Sequence, residues 1–237
     1  MINFNDVSKG FAGIKSMNLT IPDGKIIGFL GPNGAGKSTT IKMMTGILPL
    51  DAGTITLNGY DIEKEPIQAK QHTGYVPDQP DMFLRLKGID YLNFIGDIFE
   101  VPETFRRERI ERLTTQFNIY DALQDYIQTY SHGMRQKIIV TGVLLHDPDI
   151  WILDEPLTGL DPKSAYMLKE MMREHAAKGK TVFFSSHGLE VVEQLCDEVA
   201  IIKKGEIIFY GDLTEMRKQF QTDQSLEQVF LELTSDE

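Results

Sequence analysis

The stretch "KIIGFLGPNGAGKST", residues 25–39, decides the fold. Its first half is an apolar run with the length and composition of a strand. Its second half matches G-x-x-x-x-G-K-[ST] and runs into "KSTTIKMMTGIL", which has helical spacing. Strand, glycine-rich turn and helix in that order make a cradle for phosphate. Gly31, Gly34 and Gly36 let the chain turn tightly enough for its N–H groups to face phosphate oxygens. Pro32, Asn33 and Ala35 fill the loop between them, and Thr39 follows it. The helix start adds a partial positive charge. Lys37 is placed to reach the outer phosphates of a nucleotide, and Ser38 to coordinate Mg²⁺.

A second stretch, "IWILDEPLTGLDP" at 150–162, complements the first. An apolar strand ends in adjacent carboxylates, Asp154 and Glu155, whose like charges repel. A cation held by Asp154 would make the pair tolerable. Glu155, one residue farther on, is then placed as general base for a water, a role worth about 10²- to 10⁴-fold in rate.

Outward from these two anchors, "INFNDVS" and "IKSMNLTI" read as strands, and "AGTITLNG" as a strand or hairpin. Residues 87–146 are mostly helical by period. From Ile150 onward strands and helices alternate, the pattern of a parallel sheet. "IWIL" and "TVFF" are continuous apolar runs, as in strands covered on both faces. The expected fold is α/β: a P-loop core with a mostly parallel sheet, an N-terminal antiparallel β-subdomain and an inserted α-helical subdomain. The chain is expected to be one domain over 1–237, with the helical subdomain at about 80–146 and a helical tail at about 212–237. "DQSLEQVFLELTSDE" reads as a short amphipathic helix with a frayed acidic end.

Composition sets limits. The 237 residues carry a formal net charge of −11, which argues against a general nucleic-acid coat, since that needs a basic face. The single cysteine, Cys196, cannot form an intrachain disulfide and reads as a small core residue, which suits a reducing cytoplasm. "MINFNDVSKG" lacks a signal-peptide core, and no apolar run approaches the roughly 18 residues that span a bilayer. Membrane spans, if the function needs them, are expected on another chain.

Further motifs carry a resemblance. "YSHGMRQK" (130–137) is similar to the signature motif of ATP-binding cassette (ABC) ATPases, and stands ahead of the Asp154 strand as in that family. "LTGLDP" resembles the family's D-loop through Asp161, "FFSSHGLE" its switch histidine through His187, and "VAIIKKGEIIFYGD" the hairpin that follows. Ser131 looks like an N-cap, and Gly133 permits close backbone approach, together making a second anion site at a helix start. The resemblance implies an ATPase using ATP and Mg²⁺. Its two subunits would meet head to tail, each nucleotide held by the cradle of one and by Ser131 and Gly133 of the other. His187 would contact the γ-phosphate and help orient Glu155 and the water.

The sequence departs from the family pattern in places. Tyr130, His132 and Met134 replace the usual Leu, Gly and Gln of the signature. In "GYVPDQPDMF", Asp78 stands where the family has Gln, with Gln79 one place later. Either could serve the Q-loop role; Asp78 is favoured, and could bind Mg²⁺ or its water. Phe11 in "SKGFAG" is the candidate to stack on adenine, with a core position as the alternative; Phe4 reads as core.

The resemblance also implies transmembrane permease subunits on separate chains and a peripheral place on the cytoplasmic face of the membrane. Some of Met82, Phe83, Leu84 and Tyr91 are expected to remain exposed as an apolar docking patch. "YVPD" and "LEQVFLEL" look like bacterial ABC-2-type exporter subunits. A non-transport ABC switch acting on a membrane signalling or cell-wall partner is the alternative. The middle segment is too short for the coiled coil of chromosome-organising ABC ATPases. Only one cassette is present, against the two of translation-factor relatives, and no N-K-x-D guanine motif occurs.

Overall fold

The computed structural model describes residues 1–220 and 225–234. In chain order the strands are β1 (Ile2–Lys9), β2 (Ile14–Ile21), β3 (Ile26–Leu30), β4 (Ala52–Leu57), β5 (Tyr60–Asp61), β6 (Thr73–Val76), β7 (Ile150–Leu153), β8 (Thr181–Ser185), β9 (Glu198–Lys203) and β10 (Glu206–Gly211). The helices are α1 (Lys37–Met44), α2 (Pro66–Gln71), α3 (Gly88–Ile98), α4 (Glu103–Gln116), α5 (His132–Leu145), α6 (Pro162–Ala177), α7 (Leu189–Leu195), α8 (Leu213–Gln219) and α9 (Leu226–Thr234).

Two sheets form. The N-terminal one is antiparallel, in the order β2-β1-β4-β5. The larger runs β10-β9-β3-β8-β7-β6, parallel except for the β9–β10 hairpin. Its central strands are buried on both faces, which explains their unbroken apolar runs. Ile27, Phe29, Ile150, Ile152 and Phe183 point to the face shared with the antiparallel sheet and α1. Leu30, Trp151, Leu153, Val182 and Phe184 point the other way, toward α5, α6 and α7. Burying each large side chain contributes about 1.5–3 kcal/mol, so these alternating layers dominate the core. Gly28 in β3 is required by packing, since a Cβ there would lie 2.7 Å from Val192 of α7 and 2.9 Å from the Cys196 sulfur. Cys196 is thus a packing residue, as expected, and burial pushes its thiol pKa up.

Helices α3, α4 and α5 stand between β6 and β7. Helix α1 is shorter than its spacing suggests, stopping at Met44 before Gly46, whose φ is 65°. Strand β6 and helix α2 were not read from the sequence. Asp212 and Glu215 close α8 with a reciprocal capping box. The frayed acidic end expected after Thr234 lies outside the described residues.

Candidate nucleotide site

The C-terminal ends of β3, β7 and β8 converge on one opening, where parallel α/β sheets place their ligands. β3 ends at Leu30, and the loop turns back beneath α1. Gly31 must be glycine, because a Cβ would sit 2.4 Å from the Ile202 carbonyl oxygen. Gly36 has φ 109° and starts α1, accepting the Thr40 N–H at 2.8 Å. Ala35 is buried and its N–H turns inward to the Pro32 carbonyl at 3.2 Å.

Lys37 is 8% exposed, and its Nζ donates to the carbonyls of Gly31 at 2.5 Å and Pro32 at 3.2 Å. Burial lowers its pKa, against the pull of Glu155 and Asp154. The ammonium therefore rests on the loop itself, beside the space a phosphate would fill.

That space is a cavity of about 360 Å³ lined by Phe11, Ala12, Pro32, Asn33, Gly34, Gly36, Lys37, Ser38, Thr39, Asp78, Asp154, Glu155 and His187. Asp154 is buried and its N–H donates to Val76 at 2.8 Å, tying it to β6. Its Oδ1 accepts from Ser185 Oγ at 2.6 Å. The Ser185 oxygen accepts the Glu155 N–H at 2.9 Å. Glu155 has φ 48°, in the left-handed region. Its Oε2 accepts the His187 N–H at 3.3 Å, and its Oε1 lies 3.3 Å from His187 Nε2 without the alignment of a hydrogen bond. Burial raises the Glu155 pKa; His187 and Lys37 act against it. Tyr75 is pushed up to about 12, first by burial and then by the charges of Asp154 and Asp78.

Asp78 therefore stands on the cavity wall, and Gln79 does not. Phe11 is 73% exposed at the cavity edge with Lys9 Nζ 5.4 Å from its ring centroid, so the core alternative for it fails. Phe4 is buried in the core. Ser185 escaped sequence reading; the doubled serine before His187 was the available signal.

Ser131, Gly133 and Asp161 line no part of this cavity. Ser131 is exposed and caps α5, its Oγ accepting the Met134 N–H at 3.3 Å. A Cβ on Gly133 would lie 2.8 Å from the Gly159 carbonyl, so the tip of α5 packs on the loop after Glu155. Asp161 caps α6 and pairs with Lys137 at 2.8 Å, which, with the Ser164 N–H, holds its carboxyl well below the usual range.

A separate apolar groove of about 340 Å³ opens between α1, the α2–β6 segment, α3 and α5. Met82 and Phe83 are exposed on it, Leu84 is half-buried, and Tyr91 is buried at 3% exposure. The expected patch thus consists of Met82 and Phe83. Arg135 fastens this region to the α5 tip, donating to Asp81 at 2.6 Å and to the carbonyls of Gln128 at 2.8 Å and Ile127 at 3.3 Å.

Known proteins share this arrangement. A family model described as ABC transporter matches residues 14–158. The ABC transporter ATP-binding protein NatA of Bacillus subtilis is 34% identical over 96% of this chain and 93% of its own length. The linearmycin resistance ATP-binding protein LnrL of the same organism is 35% identical over 91% of this chain and 70% of its own. A solved ATP-binding subunit of an ABC transporter superposes with a TM-score of 0.95 at 30% identity, covering 99% of this chain and 100% of that one. Full-length similarity and the convergence of β3, β7 and β8 on one phosphate cavity lead to the same conclusion: the chain belongs to the ABC transporter family, as an ATP-binding, ATP-hydrolysing subunit.

Proposed function

We propose that the chain powers a membrane exporter, closing on ATP with a second nucleotide-binding subunit, either its own copy or a close relative. The observation that carries this is the division of the site. The cavity has the cradle, Asp154, Glu155 and His187, but lacks Ser131, Gly133 and Asp161. A second subunit placed head to tail would bring its own Ser131 and Gly133 over the γ-phosphate. The whole chain then acts as one nucleotide-binding domain, with a helical part near 80–146 and a tail near 212–237.

The donors fit Mg²⁺: the Ser38 hydroxyl and the Asp154 and Asp78 carboxylates are oxygen ligands on one cavity, as a hard cation prefers. Bound there, the cation would offset charge on the phosphates. Lys37 exchanges the Gly31 and Pro32 carbonyls for phosphate oxygens. Glu155, its proton affinity raised by burial, accepts a proton from water as the water oxygen attacks the γ-phosphorus and ADP leaves. His187, against Glu155, orients that carboxylate. Phe11 stacks on the adenine.

The apolar groove with Met82 and Phe83 fits a short cytoplasmic helix of a permease on another chain. No helix among the described residues is long and apolar enough to cross a membrane. On this reading the chain sits at the cytoplasmic face of the membrane through its permease. The name of LnrL, a linearmycin resistance ATP-binding protein, supports export.

The test is to identify the membrane protein that co-purifies with the chain and to reconstitute both in vesicles. ATP-dependent flux with ATPase stimulation is expected. Stimulated turnover without flux of any candidate cargo would favour the non-transport switch, and no membrane partner at all would remove the reading.

A further inference from the structure

Ser185 ends β8 and has no exposed surface. Its hydroxyl has one proton to give, and gives it to Asp154 Oδ1 at 2.6 Å. The same oxygen accepts the Glu155 N–H at 2.9 Å. One buried atom thus touches both carboxylate residues, one through its side chain and the other through its main chain.

Each contact settles something the site needs. With Oδ1 held by Ser185, Asp154 keeps a fixed plane, and Oδ2 is the oxygen left for a cation. Glu155 sits at φ 48°, a left-handed conformation that is strained for a non-glycine residue. A hydrogen bond to its own N–H holds it there, and that conformation sets where the Glu155 side chain leaves the strand. Neither contact is needed for the sheet, whose β7–β8 ladder pairs Ile150 through Leu153 with Thr181 through Phe184.

We infer that Ser185 is a positioning residue for ATP hydrolysis, its hydroxyl locking the Asp154 carboxylate and the Glu155 backbone into one rigid unit at the end of β7. This rests on the roles proposed above for Asp154 and Glu155. Partners one bond removed from a metal ligand typically change metal affinity or activity about 10- to 100-fold when removed.

The test compares Ser185→Ala with Ser185→Thr, which restores the hydroxyl, with Asp154→Asn and Glu155→Gln run alongside. Steady-state ATPase gives kcat and KM. Equilibrium binding of a non-hydrolysable ATP analogue is titrated with Mg²⁺, and thermal melting reports folding.

Ser185→Ala is expected to lower kcat at least about tenfold with little change in KM, and to move the Mg²⁺ midpoint about tenfold higher. Ser185→Thr is expected to recover most of both. A purely structural role would lower the melting temperature and the active fraction without moving the Mg²⁺ midpoint, and that result overturns the inference. So does an unchanged kcat in Ser185→Ala. If Asp154→Asn and Glu155→Gln are themselves fully active, the roles assigned to those two residues fail instead.

Discussion

Glu155 holds a left-handed backbone and a half-buried carboxylate beside His187, which suits the aimed, proton-accepting role proposed for it. Burial raises its pKa, so the ionised form is lost at a higher pH than for a free glutamate, near 4.3. The acid limb of kcat/KM for ATP should therefore lie above that value. A limb at or below it would contradict the assignment. Glu155→Gln should cut turnover about 10²- to 10⁴-fold while leaving ATP binding intact. At the cavity edge, Phe11→Ala should weaken ATP by about 1 kcal/mol, near the low end for stacking on a base; unchanged affinity would leave the adenine elsewhere. Asp78→Ala should cost more ATPase activity than Gln79→Ala, because only Asp78 lines the cavity. Adjacent residues such as Asp154 and Glu155 were legible in the sequence because motif and strand period coincide there. Ser185 was not, because it reaches Glu155 across the β7–β8 pairing, from 30 residues away.

Among the elements, β3, β7 and β8 were readable because both faces are covered, leaving apolar runs with no polar interruption. β6 was not, since "TGYV" is only four residues long and carries a glycine. Gly74 is there because a Cβ would strike Val143 at 2.4 Å and Pro148 at 2.8 Å, a constraint that only packing reveals. The same limit hid the Arg135 clamp. Arg135 is mostly buried and bonds two carbonyls as well as Asp81, whereas Asp81 is largely exposed. Exposed ion pairs contribute about 0–1 kcal/mol, while hydrogen bonds from a charged group contribute about 1.5–3. Arg135→Ala should therefore destabilise the fold clearly more than Asp81→Ala, as measured by urea unfolding; equal losses would mean that the Asp81 pair, not the carbonyl contacts, does the fastening. The clamp joins the groove at Met82 and Phe83 to the helix that Ser131 caps. On the proposed function it should also carry partner docking to the second anion site, so permease stimulation should fall further in Arg135→Ala than basal ATPase does.

Over the whole molecule, the phosphate cavity and the capped tip of α5 are built as separate surfaces of one chain. The family resemblance implies that the two meet on one nucleotide across a pair of subunits, and within this one chain Ser131, Gly133 and Asp161 line no part of the cavity. On the proposed function the surfaces become one site only when two subunits meet. The most direct test is the molar mass of Glu155→Gln protein in solution, measured by light scattering with Mg²⁺ and saturating ATP. The account predicts a rise from 26.9 kDa to a dimer, reversed when Ser131→Arg is added to the same chain. A mass that stays at the monomer value both alone and with any nucleotide-binding subunit that co-purifies with the chain, or a dimer that forms equally well with Ser131→Arg, would contradict it.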